Sequence, residues 1–375
     1  MTQAMLRTDL CDLLGIDYPI LQSGMGGVAG PDLVAEVSNA GGLGILAALH
    51  VPPDPLREAI RKVRQLTDRP FGVNLWLHAQ MLPPVDVNTI PESTVQAAQG
   101  MLNQFRARLG IPTTLARPAG VADVALAAFE VILEERVPVF SSALVGHQDP
   151  EMVRRCHERG IKVMTMVATV DDARTATGAG VDIIVAQGGE AGGHRSVGVP
   201  LSSPAAANVA TMVLVPQVVD AVRVPVVAAG GIADGRGLVA ALALGASGIM
   251  LGTRFVATRE SAVPEFQKKA LLEADSGATT LTNTITGLYA RALRNRFTEE
   301  YEASGAPVLP GHVQRNAAQD VYMASAKQND LAYYPIMSGQ SVGMIRDLPG
   351  AGEVVETIVR EARAVLAGLP GRVRL

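Results

Sequence analysis

Glycine and polar residues are concentrated in short clusters, each directly after a run of apolar residues. The longest cluster is Gln187-Gly-Gly-Glu-Ala-Gly-Gly-His-Arg195, and shorter ones occupy residues 23–27, 229–232 and 251–254. Glycine lets backbone N–H groups approach a ligand closely, and successive N–H groups form a nest that binds an anion. The clusters therefore predict a site for a phosphorylated ligand.

One histidine lies inside the longest cluster. The chain has six histidines, at His50, His78, His147, His157, His194 and His312. His194 stands between two glycines and Arg195, where a ligand can reach it, and an imidazole with a pKa near about 6.5 exchanges protons at neutral pH. His157 lies in a charged helical segment and is predicted to be structural or solvated. His194 is therefore the predicted acid/base residue.

The secondary-structure elements that must position these clusters are predicted strands that alternate with predicted helices. Apolar runs that read as strands buried on both faces occupy residues 19–22, 43–47, 71–75, 137–141, 161–167, 182–186, 225–229 and 248–251. Helical segments such as 31–42 and 149–160 lie between them, with proline at the start and glycine at the end. Strands joined by crossover helices are parallel. This pattern predicts an α/β fold.

The number of strands favours a (β/α)8 TIM barrel, with an open doubly wound sheet as the alternative. In a barrel the loops after the strands converge on one rim, where active sites are built. A Rossmann dinucleotide turn is the competing interpretation of Gly24-Met-Gly26 followed by Ala29. The next strand ends in Ala47-Ala-Leu-His50, without the acid that would bind a ribose. The barrel is therefore preferred.

A long insertion follows the third strand. Residues 77–122 contain several prolines and a helical run at 92–109, and are far longer than an ordinary βα loop. We expect this insertion to pack with the C-terminal segment as a small, mostly helical subdomain over the barrel's C-terminal mouth. The predicted division is residues 1–77 and 123–274 for the barrel and residues 78–122 and 275–375 for the helical cap.

Composition excludes several classes of protein. Hydrophobic residues make up 48% and charged residues 18% of the chain, which allows a large core and excludes global disorder. The 32 basic and 36 acidic residues give a net charge of −4 without a basic cluster, which argues against a nucleic-acid partner. Cys11 and Cys156 show neither disulfide nor zinc-ligand spacing, so no metal is predicted.

The chain also lacks the sequence features of membrane and secreted proteins. Asp9 and Asp12 interrupt the N-terminal region where a signal peptide would need an apolar run, and no stretch offers the roughly 20 apolar residues of a spanning helix. The predicted location is the cytoplasm. The low charge content leaves room for a homo-oligomer interface.

With these motifs in place, the sequence resembles the nitronate monooxygenase family, formerly called 2-nitropropane dioxygenases, which are FMN-dependent (β/α)8 flavoenzymes. The likeness spans nearly the whole chain, and the Gln-Gly-x-Glu-Ala-Gly-Gly-His-Arg run is its most specific part. Its motifs here are Pro19-Ile-Leu-Gln-Ser-Gly-Met-Gly-Gly27, Val37-Ser-Asn-Ala-Gly-Gly-Leu-Gly44, Pro70-Phe-Gly-Val-Asn74, Ala186-Gln-Gly-Gly-Glu-Ala-Gly-Gly-His-Arg195, Ala228-Ala-Gly-Gly-Ile232, Leu251-Gly-Thr-Arg-Phe255, and Thr286-Gly287 with Ala290-Arg291 and Asn295.

The resemblance implies a role for each matching position. His194 would be the catalytic acid/base beside the reactive face of the flavin. The residues implied to bind FMN are Gly24, Met25 and Gly26 at the ring, Asn74 and Gln187 at its polar edge or ribityl chain, and Gly192, Gly231, Met250, Leu251, Gly252 and Thr253 at the phosphate. The implied reaction takes an electron from an alkyl nitronate to FMN, with dioxygen as the second substrate, and releases a carbonyl compound and nitrite.

Two other functions remain open at this stage. FMN-dependent enoyl-acyl-carrier-protein reductases share a Glu-x-Gly-Gly-His loop, but theirs continues with an apolar residue where this chain has Arg195. Many relatives also place Ala-Pro-Met where this chain has Ser23-Gly-Met25. A non-catalytic barrel that binds a phosphorylated ligand is the third interpretation. The sequence favours the monooxygenase, with a nitronate or nitroalkane as substrate.

Overall fold

The computed structural model describes residues 6–76, 84–143, 149–197 and 207–372. All eight predicted strands are present, with ends that differ from the predicted ones by no more than two residues. In chain order the strands are β1 Ile20–Gln22, β2 Gly44–Ala47, β3 Phe71–Trp76, β4 Val139–Ala143, β5 Lys162–Val167, β6 Ile183–Gln187, β7 Gly193–His194, β8 Val226–Ala229, β9 Gly248–Leu251, β10 Thr279–Thr282 and β11 Ala290–Leu293.

Eight of these strands form one parallel sheet in the order β1-β9-β8-β6-β5-β4-β3-β2. The two ends of the sheet meet beside β2, where the N–H of Gln22 donates to the carbonyl of Leu43 at 2.9 Å and the N–H of Leu43 donates to that of Ile20 at 3.0 Å. The sheet therefore closes on itself. This confirms the predicted (β/α)8 barrel and excludes the open sheet.

Helices follow most of the barrel strands, and others belong to the cap. In chain order they are α1 Asp9–Leu14, α2 Pro31–Asn39, α3 Pro53–Leu66, α4 Glu92–Leu109, α5 Ala125–Glu134, α6 Pro150–His157, α7 Val170–Gly178, α8 Thr211–Ala221, α9 Gly235–Ala243, α10 Thr253–Val256, α11 Glu265–Glu273, α12 Arg296–Ser304, α13 Val313–Lys327 and α14 Ala351–Arg372.

The barrel strands are buried on both faces, as their continuous apolar sequences predict. Outward-facing side chains such as Val73 and Phe140 pack under the surrounding helices. Inward-facing side chains such as Met164 and Leu21 form a second cluster with Leu10 of α1, which packs against the interior of the barrel. The interior is therefore filled at one end, and a site can form only towards the carboxyl ends of the strands.

The insertion after β3 packs with the C-terminal segment, as predicted. Helix α4 spans the predicted residues, ends at Gly110 in a left-handed conformation, and packs against α12 and α13. Phe105 of α4 lies 5.0 Å from Phe297 of α12, measured between ring centroids. A small antiparallel sheet, β10-β11-β7, joins this cap to the loop after β6.

The last helix differs from the predicted division, which placed residues 275–375 in the cap. Helix α14 packs against α9 and α2 on the outside of the barrel. Its apolar side chains, including Val355 and Ile358, belong to the barrel's outer cluster. An apolar face recurring along α14 needs an apolar surface to cover it, and the helices flanking β1 and β9 provide that surface.

Cys11 and Cys156 are both buried free thiols in the described structure. Burial raises the pKa of each thiol, that of Cys156 to about 12, so neither forms a thiolate readily. Among the described residues, no helix is both long and apolar enough to cross a membrane.

Candidate active site

The loops at the carboxyl ends of the barrel strands surround a cavity of about 510 Å3, a volume ordinary for small-molecule sites. Its walls bring together every residue predicted for the site. These are His194 and the predicted cofactor-binding residues Gly24, Met25, Gly26, Asn74, Gln187, Gly192, Gly231, Met250, Leu251, Gly252 and Thr253. The turns after β1, β6, β8 and β9 therefore converge on one rim, as the barrel predicts.

Two rim positions require glycine. Gly231, after β8, has φ of +71°, a left-handed conformation that side-chain-bearing residues adopt at a cost. A Cβ on Gly192 would lie 2.5 Å from the backbone nitrogen of Gly339, because a segment of the cap crosses directly over this loop. Glycine is therefore needed at Gly231 for its backbone conformation and at Gly192 for the close approach of the cap.

Two buried arginines hold the loop after β6. Arg195 donates to the carbonyls of Gly188 at 2.8 Å and Ala191 at 2.7 Å, and Arg291 of β11 donates to the carbonyl of Gly189 at 2.8 Å. Burial lowers the pKa of both guanidinium groups, since a charged group is less stable away from water. Arg195, noted as a departure from the reductase loop, thus fixes the loop that carries His194.

Glu190, in the same loop, provides the negative charge near this arginine pair. Its carboxylate accepts hydrogen bonds from the backbone N–H and the hydroxyl of Thr211, both at 2.9 Å. Two guanidinium groups and one carboxylate leave a net positive charge beneath the loop. This charge favours an anionic ligand at the rim.

His194 is held on both its backbone and its ring. The side-chain amide of Gln187 donates to the carbonyl of His194 at 2.9 Å, and the other end of that amide accepts from the N–H of Ser196 at 2.9 Å. The ring nitrogen Nε2 lies 2.8 Å from Oγ1 of Thr286, and the edge of the ring packs against Trp76. The ring orientation is therefore set from the barrel and from the cap together.

The protonation state of His194 differs from the one expected from the sequence. Desolvation of the ring in the protein interior, with a smaller contribution from Arg315 and Arg195, lowers its pKa to about 3 instead of the ordinary value of 6.5. The imidazole is therefore neutral at neutral pH. It can accept a proton or share a hydrogen bond, but it carries no positive charge towards a ligand.

Two further histidines and a tryptophan surround His194, and the sequence did not single them out. Nε2 of His50 lies 3.2 Å from Nδ1 of His312, and the rings of His194 and His312 stack with centroids 5.7 Å apart. Trp76 contacts both His194 and His312. His50 and Trp76 lie at the ends of β2 and β3, so the rule that site residues follow strands would have found them. His312 comes from the cap, where that rule does not apply.

Asn74 faces the same cavity from the end of β3. Its amide donates to the backbone carbonyl of Ser141 at 3.1 Å and lies 3.3 Å from the hydroxyl of that residue. These bonds orient the side chain and leave its carbonyl oxygen available to a ligand. Ser141 also lines the cavity and was not predicted.

Other tyrosines and histidines of the chain have less direct positions. Tyr334 lines the cavity, whereas Tyr333 is buried in the core of the cap. His157 lies on the surface and pairs with Asp182 at 2.9 Å, which confirms that it is structural or solvated. His78 and His147 lie outside the described residues.

Comparison with known proteins identifies the family. The model of the nitronate monooxygenase family matches residues 7–361. A probable nitronate monooxygenase from Staphylococcus saprophyticus is 34% identical over 361 residues, covering 96% of this chain and 99% of the relative.

Two solved structures extend the similarity. Nitroalkane oxidase from Streptomyces ansochromogenes has a TM-score of 0.83 at 35% identity, covering 95% of this chain and 99% of that one. FabK from Thermotoga maritima has a TM-score of 0.75 at 33% identity, covering 98% and 99%. The chain therefore belongs to the nitronate monooxygenase family of flavin-dependent oxidoreductases.

Proposed function

We propose that this protein binds FMN in the rim cavity and uses it to oxidise alkyl nitronates with dioxygen, releasing a carbonyl compound and nitrite. The observation that carries the proposal is that one cavity joins a glycine-lined rim to a partly buried histidine. Family membership supports nitronate oxidation in general. The proposal adds FMN as the cofactor, dioxygen as the oxidant, and a carbonyl compound and nitrite as the products.

The residues present fit a flavin phosphate. A Cβ placed on Gly26 would meet no atom within 4 Å, and one on Gly252 would meet only the sulfur of Met25 at 3.5 Å, so the backbone there borders open space. Gly231 adds a left-handed turn of the kind that forms anion nests. The positive charge of Arg195 and Arg291 lies behind the loop. A bound flavin would supply the electron-accepting chemistry, and the protein would supply position and charge.

The environment of His194 indicates which form of the substrate is used. The hydrogen bond with Thr286 at 2.8 Å engages Nε2 of His194 and leaves Nδ1 to interact with a ligand. A base whose pKa is far below the working pH removes a proton from carbon inefficiently. The site therefore favours a nitronate, which is already deprotonated, over a neutral nitroalkane.

Anaerobic mixing tests the proposal directly. We expect the flavin absorbance of the purified protein to bleach with propyl-1-nitronate and not with NADH or NADPH. Oxygen consumption with the same nitronate, together with nitrite and aldehyde analysis, then tests the products. Bleaching by nicotinamide alone would contradict the monooxygenase and support the second candidate.

That second candidate is an NAD(P)H-dependent reductase of an activated alkene such as an enoyl thioester. The shared Glu190-Ala-Gly-Gly-His194 loop favours it, because this loop forms one wall of the cavity. Against it stands Arg195, which replaces the apolar residue of the reductase loop and makes the bonds that fix it.

The contribution of His194 is tested by His194→Asn. The wild type should turn over a neutral nitroalkane slowly. We expect His194→Asn to lower that slow turnover by a further ~10-fold and to lower turnover of the nitronate less, because only the neutral substrate needs a base. His157→Asn, on the surface, is the matched control and should retain both activities. Equal turnover of the nitroalkane by wild type and His194→Asn would remove His194 from proton transfer.

A further inference from the structure

We propose that His312 and Arg315, at the start of helix α13, form the part of the cavity that receives the anionic end of the substrate. The ligand class is a planar anion with two equivalent oxygens, such as a nitronate or a carboxylate. The inference deepens the proposed function, because it assigns the residues that select a charged substrate over a neutral one.

The charges along the cavity wall support an anion. Of the described residues that line the cavity, Arg315 alone carries a formal charge at neutral pH. No acidic side chain in the described structure lies within ion-pair distance of it, whereas Arg254 pairs with Asp347 at 2.7 Å and Arg106 with Asp320 at 2.7 Å. Arg315 thus has no carboxylate partner in the part of the chain that the structure describes. An incoming anion would be its first partner.

His312 provides a hydrogen-bonding atom next to this charge. The side chain is only 2% exposed, and its Nδ1 is bonded to Nε2 of His50. Nε2 of His312 is buried without a hydrogen-bond partner among the described residues. A buried polar atom left without a partner costs free energy, so a ligand that bonds to it gains affinity.

The backbone holds His312 in place for this role. Its φ is +59°, in the left-handed region, and its N–H donates to the carbonyl of Thr286 at 2.6 Å. A residue held in this conformation is maintained by its surroundings, and such residues are concentrated at functional sites. Thr286 also contacts His194, so the catalytic histidine and the proposed anion site share one anchor.

Helix α13 reinforces the charge of Arg315. The helix has 15 residues, and its N-terminal end lies at His312, beside the cavity. The aligned peptide dipoles give that end a partial positive charge, which favours an anion. Arg315 lies one turn further on, and its guanidinium group can bond both oxygens of a carboxylate-like group at once.

The position also separates this site from the proposed phosphate site. The phosphate cradle uses the loops after β8 and β9, whereas His312 and Arg315 belong to the cap. Arg315 lies close enough to His194 to lower its pKa, after burial. An anion bound by Arg315 would therefore lie next to the predicted catalytic histidine.

Substitution of Arg315 tests the proposal with two independent measurements. The first is the KM and kcat for propyl-1-nitronate. The second is the Kd of propanoate, a non-reactive carboxylate of similar shape, from NMR line broadening. For Arg315→Gln we expect KM and Kd to rise about tenfold or more with kcat little changed, since a charge-assisted bond is lost. Arg315→Lys should recover part of both.

The matched control is Lys327→Gln. It removes one positive charge from the other end of the same helix, on an exposed side chain that does not line the cavity. Both constants should stay at the wild-type values. Raising the salt concentration should weaken propanoate binding in the control and have a smaller effect in Arg315→Gln.

Two outcomes would overturn the proposal. One is an unchanged KM and propanoate Kd in Arg315→Gln. The other is loss of flavin from Arg315→Gln and not from Lys327→Gln, which would assign Arg315 to the cofactor. If the wild type oxidises no nitronate, the proposed function fails, and propanoate binding still decides whether His312 and Arg315 form an anion site.

Discussion

The barrel rim and the cap contribute to the same cavity in different ways. The rim presents mainly glycines and backbone groups after β1, β6, β8 and β9, while the cap presents the side chains of His312, Arg315 and Tyr334. Backbone groups suit a ligand part with a fixed shape and charge, such as a phosphate. Side chains can vary in size and charge. We infer that the rim is built for the cofactor and the cap for the substrate.

The two regions meet along a narrow junction. The loop bearing Gly192 and the cap residue Gly339 are in backbone contact, and the N–H of Gly339 donates to the hydroxyl of Thr253 at 2.9 Å. Strand β7, which contains His194, pairs with β11 of the cap. The position of the proposed catalytic histidine therefore depends on close approach of cap and rim.

The largest effect is expected where this junction is blocked. Gly192→Ala would place a Cβ 2.5 Å from the nitrogen of Gly339 and 2.6 Å from the carbonyl carbon of Ser338. Neither backbone atom can move aside alone, so the cap must shift, and we expect a loss of about 1–3 kcal/mol in the free energy of unfolding. The flavin content of the purified variant should fall strongly, as measured by its visible absorbance relative to protein.

A second glycine of the barrel serves as the control. Gly178, at the end of α7, has no atom within 4 Å of an added Cβ. Gly178→Ala should keep its flavin. Normal flavin content in Gly192→Ala would show that rim and cap are not rigidly joined, which would break the distinction between the two regions.

The difference between rim and cap also explains which parts of the structure could be predicted from the sequence. The strands could be predicted because a strand buried on both faces is a continuous apolar run, and the rim residues followed from their position after those strands. The cap offered no such rule. His312 and Arg315 lie on a helix whose apolar pattern reports only its packing, and the docking of α14 on the barrel is a contact far apart in sequence.

The surroundings of His194 and Gln187 could not be predicted from the sequence either. His194 could be placed on the rim, but its pKa depends on desolvation in the folded protein and on the nearby Arg315, which comes from α13. Gln187 was predicted to contact the flavin, and both ends of its amide are already bonded to the loop of His194. We therefore expect it to position that loop whether or not it touches the cofactor.

An effect of intermediate size is expected in the pH dependence of stability, because His312 is held neutral in the folded protein. Burial, then the neighbouring His194, His50 and Arg315, lowers the pKa of His312 to about 2. The unfolded chain therefore binds the proton first as pH falls below about 6.5, so the stability from neutral His312 is complete above that value and is lost below it. One such group gives a slope of up to about 1.4 kcal/mol per pH unit.

His312→Asn should reduce that slope. Asparagine tolerates the left-handed backbone and does not titrate, so the variant should lose less stability than the wild type between about pH 6 and pH 4. Urea unfolding at a series of pH values measures this. Gln319→Ala, at another cavity-lining position of the same helix, should retain the wild-type slope. Equal slopes in wild type and His312→Asn would mean that His312 is protonated in the folded protein.

The smallest effect is expected when the glycine-to-alanine substitution proposed for the rim is made at a glycine of the cap. Gly100 is exposed in the middle of α4, and an added Cβ would meet no atom within 4 Å. Alanine is the better helix former by up to about 1 kcal/mol, so Gly100→Ala should raise the urea midpoint slightly and leave the flavin content unchanged. The same change is thus expected to have opposite signs at Gly192 and Gly100. A fall in stability of Gly100→Ala would mean that glycine in α4 also serves a close contact, and that reliance on backbone approach is not confined to the rim.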